Sequence, residues 1–184
     1  MLTTSLQRLF ECGSWIYQTK HFDLLMKHFG ATWQTIEDFE LSFIDILELT
    51  DFEYAIDCTS SRLDLHKTWR EFSVWCCEPL AYYITLQSAN IAFTSAKKFI
   101  QDEISLEELT MIFQVAYDDQ SNDYSDHLSL SYCANRIAME SANPQIDTCI
   151  KNCFNTSALG MDRLGLQIKS FESMQRSKFI ALVS

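Results

Sequence analysis

The sequence predicts an all-α protein, a bundle of about eight to nine helices in a single domain spanning residues 1–184. Apolar residues recur at spacings of three and four along most of the chain, which is the period of a helix with one buried face. The chain has only four glycines and two prolines, whereas sandwiches and barrels need many turn residues. Hydrophobic residues make up 47% of it, enough to build a core without metals or disulfides.

The stretch HKTWREFSVWCCEPLAYYI, residues 66–84, is predicted to be the buried central helix. Two apolar rows follow it at helical spacing, and a helix that is apolar on two faces packs between neighbours. The rows are Trp69, Phe72, Cys76, Leu80 and Tyr83, and Val74, Cys77, Ala81 and Ile84. Because Pro79 removes one backbone hydrogen bond, we expect one helix kinked there. The alternative is that one helix ends at Glu78 and a second begins at Pro79, since proline suits a first helical position.

Shorter helices are expected on the N-terminal side of the central helix. The first ends near Gly13, and a second runs from about Ser14 to Phe29, where Gly30 suits a C-terminal cap. A third begins near Thr35, a suitable N-cap, and a short fourth spans about Asp51 to Cys58. The apolar face of the third helix is Ile36, Phe39, Phe43, Ile46 and Leu47.

Further helices are expected after the central one. An apolar face from Ala89 to Ile100 is followed by a capping box, in which Ser105 precedes Glu108 by three residues. The polar stretch DDQSNDYSD, residues 118–126, has no periodicity and is expected to be a loop. Later helices are expected at about 125–141, 146–154 and 161–179, with a break at Asn143-Pro144. The C-terminal run FIALV is the best strand candidate, and it fits the end of a helix equally well.

Acidic residues are concentrated in two windows that contain no lysine or arginine. The formal net charge is −11, and the windows lie between His28 and Ser61 and between Phe99 and Asn135. This balance disfavours binding to nucleic acid, whose phosphates are neutralised by Lys and Arg. It favours either solubility or electrostatic docking of a basic protein. The residues expected to contact such a partner are Glu37, Asp38, Asp45, Glu48, Asp51, Glu53, Asp57, Asp118 and Asp119.

The seven cysteines are interpreted as small apolar core residues of a protein from a reducing cytosol. The N-terminus shows no signal-peptide core, and no apolar run reaches the ~20 residues that a membrane-spanning helix needs. Cys149 and Cys153 share a helix face and could join His127 or Cys133 in a metal site. Structural zinc sites take four ligands and hold cysteines at closer spacing, so packing in the core is the preferred interpretation. We expect no metal and no cofactor.

A catalytic constellation is absent from the sequence. There is no G-x-S-x-G, no H-E-x-x-H and no glycine-rich phosphate loop. The four histidines, none of them in a familiar catalytic context, are His21, His28, His66 and His127. We therefore expect a protein that is not an enzyme.

The segment from Arg70 to about Pro144 resembles a helical family of bacterial immunity proteins from polymorphic toxin systems. The residues that carry the resemblance are REFSVWCCEPLAYYI, SAKKFIQDEISLEELTMIFQVAYDDQ and SLSYCANRIAMESANPQIDTCIKNC. Family members likewise have an arginine, a short core helix rich in aromatic and small residues, a turn, and another amphipathic helix. In that turn, Gln101 or Asp102 stands where a glycine is common. The resemblance implies a non-catalytic protein that binds and blocks a cognate toxin, and no binding residue of the family is carried over.

The leading hypothesis is a cytoplasmic immunity protein that neutralises a toxin domain through an acidic surface, without contact to nucleic acid or membrane. One alternative is a different interaction module, such as a regulatory adaptor or a phage-encoded inhibitor that mimics the charge of DNA. Another is a helical metal-dependent enzyme. Genome context separates the first two hypotheses, and the metal content of the purified protein separates the third.

Overall fold

A computed structural model describes residues 1–13, 19–122 and 129–184. Helices make up nearly all of the regular structure in those residues, so the all-α prediction is confirmed. The chain divides into two compact units, which are described separately below. The single domain expected over residues 1–184 stays a prediction.

The first unit consists of Met1–Leu65 and Phe179–Ser184. Two short strands, β1 (Thr3–Ser5) and β2 (Glu40–Ser42), pair antiparallel with Thr3 opposite Ser42. The helices are α1 (Leu6–Glu11), α2 (Thr19–Phe29), α3 (Phe43–Leu49) and α4 (Phe52–Asp57). The unit also contains two 3-10 segments, Ile36–Asp38 and Cys58–Leu65.

Several predicted boundaries in the first unit are confirmed. Helix α1 ends before Gly13, and α2 ends at Phe29 before Gly30. Both glycines have positive φ, at 75° and 64°, a conformation that glycine adopts without strain. Asp51 caps α4 by accepting a hydrogen bond from the Tyr54 N–H at 2.8 Å. The predicted start of the second helix at Ser14 lies outside the described residues.

Helix α3 begins later than the sequence predicts, so the predicted start near Thr35 is wrong. Thr35 makes no side-chain cap, and a 3-10 segment and β2 precede Phe43. The start is instead a capping box, in which the Asp45 N–H donates to Ser42 Oγ and the Ser42 N–H donates to the Asp45 carboxylate, each at 3.0 Å. Pairing with β1 holds the residues before this cap in an extended conformation, and such a distant contact leaves no local pattern.

The second unit is His66–Lys178. Its helices are α5 (His66–Cys77), α6 (Gln87–Ile100), α7 (Leu106–Ser121), α8 (Leu130–Glu140) and α9 (Ile146–Arg163). A last helix, α10, spans Ile168–Val183. Helix α5 packs against α6, α8 and α9, which confirms its central place within this unit.

The α-helix of the central segment ends at Cys77, so the predicted single helix kinked at Pro79 and running to residue 84 is wrong. A 3-10 segment, Glu78–Tyr83, follows it, and Ile84 is already extended. Pro79 explains the change, because it lacks an N–H and its ring would clash with the carbonyl four residues before it. A tighter 3-10 turn accommodates the proline in this position. The outcome is close to the alternative in which a second helical segment begins at Pro79.

Arg70 is completely buried in the second unit, which the sequence did not indicate. Its Nη1 donates to the Ser141 carbonyl at 2.6 Å, and its Nη2 donates to the Asn143 carbonyl at 2.9 Å. The guanidinium carbon also lies 5.3 Å from the centre of the Phe99 ring. Ser141 caps the end of α8, where unpaired carbonyl groups carry partial negative charge, so a buried cation is stabilised there.

Helix α7 begins at the predicted capping box but extends further than predicted. The Glu108 N–H donates to Ser105 Oγ at 3.1 Å, and the Ser105 N–H donates to the Glu108 carboxylate at 2.7 Å. The helix continues to Ser121, so the predicted loop from Asp118 is wrong over its first residues. Asn122 Nδ2 donates to the Asp118 carbonyl at 2.8 Å and so caps this longer helix. Residues 123–126 lie outside the described part of the chain.

The last helices differ from prediction mainly at Gly165. A helix was predicted over about 161–179, but residues through Arg163 belong to α9, and α10 begins at Ile168. Gly165 has φ 73°, which ends α9 in the left-handed conformation that favours glycine. The FIALV run lies in α10.

Helix α8 is capped by Ser129, and its predicted start at Ser125 is outside the described residues.

Replacing Trp69 or Phe72 with alanine is expected to lower the free energy of unfolding by about 3–5 kcal/mol, because a large buried ring leaves a cavity. Both side chains are 0% exposed, whereas Trp33 is 55% exposed. Trp33→Ala is therefore the matched control and should cost clearly less. Chemical denaturation of the three purified variants measures this, and unchanged midpoints for the first two would show that α5 is not buried.

Free thiols are expected to react according to their burial. All seven cysteines lie within the described residues, where none of them forms a disulfide, and Cys12 is the one that is partly exposed. Burial raises the pKa of Cys76 to about 12 and raises that of Cys77 further, so both stay protonated at neutral pH. DTNB should therefore modify Cys12 rapidly in the native protein and all seven cysteines in denaturant without reductant. Recovery of fewer than seven thiols in denaturant would reveal a disulfide.

Candidate protein-interaction groove

An apolar groove lies between the N-terminal half of α6 and the part of α7 from Met111 to Asp119, within the second unit. Its volume is about 520 Å³. The residues that line it are Gln87, Ser88, Ile91, Met111, Ile112, Val115 and Asp119. We call it the α6–α7 groove. A volume of this size is typical of binding sites in proteins.

Large apolar side chains stand exposed along the groove. Met111 and Val115 are each 59% exposed, and Ile91 is 47% exposed. Met111, Val115 and Asp119 follow one another at intervals of four, so they form one row along α7. Leu109 and Ala116 lie on the other side of α7 in the buried core. Adjacent exposed apolar side chains of this kind mark interaction sites more often than single ones do.

Asn135 fixes the beginning of α6, which forms one wall of the groove. Its side chain is buried, and its Oδ1 accepts hydrogen bonds from the Thr85 N–H at 2.8 Å and the Leu86 N–H at 3.1 Å. Its Nδ2 donates to Thr85 Oγ1 at 3.0 Å. Leu86 precedes α6 without capping it through its side chain, so Asn135 supplies the polar contacts that hold this end of the helix.

Ser88 brings an unsatisfied polar group to the groove. The residue is 8% exposed, and its Oγ has no hydrogen-bond partner among the described residues. Buried hydroxyl groups nearly always have a partner, so an unpaired one needs an explanation. Because Ser88 lines the groove, a polar group of an occupant is a candidate partner for this hydroxyl.

One end of the groove is acidic. Asp118 and Asp119 are both exposed and lie in the last turn of α7, which contains no basic residue. The C-terminal end of a helix carries partial negative charge, so carboxylates are unfavourable there. Gln114 Nε2 donates to the Asp118 carboxylate at 2.9 Å, which is the local compensation that the structure shows. A cation placed against this end would be attracted by both carboxylates and by the helix terminus.

The lysines of α6 lie at the opposite end of that helix. Lys97 and Lys98 are in its last turn, whereas the groove is lined by residues of its first half. Lys97 is already engaged, since its Nζ is 3.0 Å from the Glu78 carboxylate and 4.4 Å from the centre of the Phe93 ring. The acidic end of the groove is therefore about 13–15 Å from these lysines along the helix axis, at 1.5 Å per residue.

The acidic residues of the first unit that were predicted to contact a partner differ in their burial and in whether they cap a helix. Asp45 and Asp51 cap α3 and α4, and Asp51 also lies 3.2 Å from His21 Nε2. Asp57 is partly buried. The remaining predicted contacts are exposed, and they are Glu37, Asp38, Glu48 and Glu53. Capping supplies a local reason for some of these acids, because carboxylates are favourable at helix N-termini.

The cysteines that were considered as metal ligands do not meet enough other candidate ligands in the described residues. Cys149 and Cys153 are completely buried on α9, and no group of three or more His, Cys, Asp or Glu residues in the described ranges could hold a metal ion. His127, the third ligand considered, lies outside those ranges. In the same ranges, no helix has the length and apolar character needed to cross a membrane.

The exposed apolar row on α7 was missed by the sequence analysis, although its signal was present. The apolar spacing of the sequence predicts a core face of α7 at Leu106, Leu109, Ile112, Phe113 and Ala116. The structure differs at Leu106, which is 46% exposed. Met111 and Val115 lie off that face and one turn apart, an arrangement that a purely solvated face would not need.

Comparisons with known protein families, curated proteins and solved structures find no match to this chain.

Charge reversal at the two ends of α7 should change stability in opposite directions. Asp119→Lys places a cation at a helix C-terminus and is expected to raise the free energy of unfolding by about 0.3–1 kcal/mol at low salt. Glu107→Lys, with the same change of net charge, places a cation in the first turn and should lower it. Urea denaturation of both variants measures the difference. A loss of stability in Asp119→Lys would contradict the strained C-terminal placement of this carboxylate.

Proposed function

We propose that this chain is a non-catalytic binding protein that neutralises a basic protein toxin in the cytoplasm, in the manner of the immunity proteins that residues 70–144 resemble. The observation that supports the proposal best is the α6–α7 groove, which Asp119 lines at one end and which has the exposed Asp118 next to it in the last turn of α7. The proposed partner surface is apolar where it enters the groove and basic where it meets these two carboxylates.

Apolar contact in the groove supplies the affinity of the proposed complex. Met111, Val115 and Ile91 are now in contact with water over much of their surface. Removing this apolar surface from water is favourable, and hot spots of binding energy cluster in such desolvated pockets. A stable complex typically buries about 1,200–2,000 Å² in total, so the partner must also cover surface beyond the groove.

Charge supplies the speed and selectivity of association. The window between Phe99 and Asn135 contains no lysine or arginine, so no cation of that segment screens Asp118 and Asp119. Opposite charges on two proteins steer their encounter, while like charges reject other acidic partners. The chain as a whole has a formal net charge of −11, which further favours a basic partner.

The placement of the two aspartates supports a role in binding over one in stability. Carboxylates at the end of α7 are unfavourable in the free protein. A lysine or arginine of a partner would reverse that effect in the complex. Two carboxylates that are unfavourable in the free protein and become favourable in a complex fit a docking surface better than a stabilising role.

The proposed function is tested by expressing this chain together with the proteins encoded by the adjacent genes. Expression of one of those proteins alone should stop growth, and expression with this chain should restore it. The two proteins should then purify as one complex. The proposal fails if none of the adjacent gene products is toxic and none binds this chain.

The Asp118→Lys/Asp119→Lys double variant should associate with that partner about tenfold more slowly or worse at low salt, because steering is lost. The rate should also depend less on salt, since exposed charges are screened over about 8–10 Å at ordinary ionic strength. Stopped-flow fluorescence measures both quantities.

The matched control for this double variant is Glu37→Lys/Glu48→Lys, which changes the net charge equally. Both of these residues are exposed in the first unit, and neither caps a helix. The control should slow association less. Equal effects of the two double variants would show that overall charge, and not the end of the groove, controls association.

A further inference from the structure

We infer that the α6–α7 groove receives a single amphipathic α-helix of the partner, with apolar residues on the side that enters the groove and lysine or arginine at the end beside Asp118 and Asp119. The inference rests on the proposed function, because it names the element of the partner that binds at the same site.

The walls of the groove determine which backbone structure fits. Both walls are α-helices, whose backbone groups are already paired along their length. An extended peptide would need an open strand edge to pair its own N–H and C=O groups, and the groove offers none in its walls. Burying those groups unpaired against Ile91, Met111 and Val115 would be costly. A helix satisfies its own backbone and presents only side chains.

The length of the groove suits about two turns of such a helix. Met111 and Asp119, the ends of the row that includes Val115, are eight positions apart on α7, which corresponds to about 12 Å at 1.5 Å per residue. A third helix laid along α6 and α7 would insert apolar side chains at positions i, i+3, i+4 and i+7, which is the known pattern of helix-in-groove recognition.

The charge distribution determines where the basic residues of the partner lie. Asp118 and Asp119 are at one end of the groove, and Lys97 and Lys98 are in the last turn of α6, beyond its other end. Basic residues at the Asp119 end meet carboxylates that no basic residue in the last turn of α7 offsets. At the far end, Lys97 and Lys98 oppose a cation and offset the exposed Glu107 and Glu108 in the first turn of α7. A second copy of this chain is a poor occupant, because its net charge of −11 would bring acidic surface against these aspartates.

Ser88 adds a selective contact inside the groove. Its Oγ has no partner among the described residues, so a polar side chain on the inserted helix would satisfy it. A purely apolar helix leaves that hydroxyl unpaired, and this difference allows the groove to distinguish partners with similar apolar faces.

A designed peptide tests the inference with the full chain. The probe is a fluorescein-labelled helix of about fourteen residues, with leucine at positions i, i+3, i+4 and i+7 and three lysines at one end. A scrambled peptide of the same composition is its control. We expect saturable binding of the helical probe by fluorescence anisotropy and binding weaker by roughly tenfold for the scrambled peptide.

Matched variants of the chain locate the binding. Met111→Lys should weaken binding of the probe by roughly tenfold or more, whereas Met174→Lys should leave it unchanged. These two methionines are similarly exposed, at 59% and 54%, and Met174 lies on α10 and does not line the groove. Equal effects of the two variants, equal binding of the scrambled peptide, or a dimer of this chain that Met111→Lys abolishes would each overturn the inference.

The inference and the proposed function fail in different ways. If the adjacent gene products do not bind but the probe binds the groove, the helix inference stands and the immunity function is wrong. If a toxin binds and Met111→Lys does not weaken it, the immunity function stands and the helix inference is wrong.

Discussion

The buried guanidinium of Arg70 is the interaction on which the second unit depends. From α5 it reaches the Ser141 and Asn143 carbonyls at the turn between α8 and α9, and it lies over the Phe99 ring of α6. Each hydrogen bond to a charged group contributes about 1.5–3 kcal/mol, and losing the donor would also leave buried carbonyls unpaired. One side chain therefore connects four helices. The apolar contacts around it, such as those of Trp69, depend on the helices being placed in this way.

The position of α6, which forms one wall of the groove, depends on this arrangement. Phe99 places the last turn of α6 against Arg70, and Asn135 of α8 holds its first turn through the Thr85 and Leu86 N–H groups. A wall fixed at both ends leaves little for a partner to order on binding, which improves affinity. The unfavourable features of the unit are concentrated at the same place: exposed apolar side chains, an unpaired hydroxyl and carboxylates at a helix C-terminus. Such concentration is expected of a binding site rather than of a solvated face.

Sequence reasoning succeeded where the cause of structure is local. The Ser105–Glu108 capping box and the glycine at position 30 were read correctly because each acts on adjacent residues. Thr35 was predicted as a helix start, whereas the observed start is the Ser42–Asp45 box, since the pairing of residues 3–5 with 40–42 has no local signal. The burial of Arg70 has no local signal, because its hydrogen-bond partners lie 71 and 73 positions away in the chain. Predicting the groove likewise requires knowing which faces of α6 and α7 meet. The Met111–Val115 row was the one local sign of it in the sequence.

The central proposal is that a basic protein partner occupies the α6–α7 groove. Hydrogen–deuterium exchange of the chain, alone and with the proposed toxin partner, tests it most directly. Exchange should slow in peptides that cover residues 87–91 and 111–119, because their amides become shielded and their helix ends stop fraying. Protection confined to residues 37–57 of the first unit, with unchanged exchange along α6 and α7, would contradict the claim.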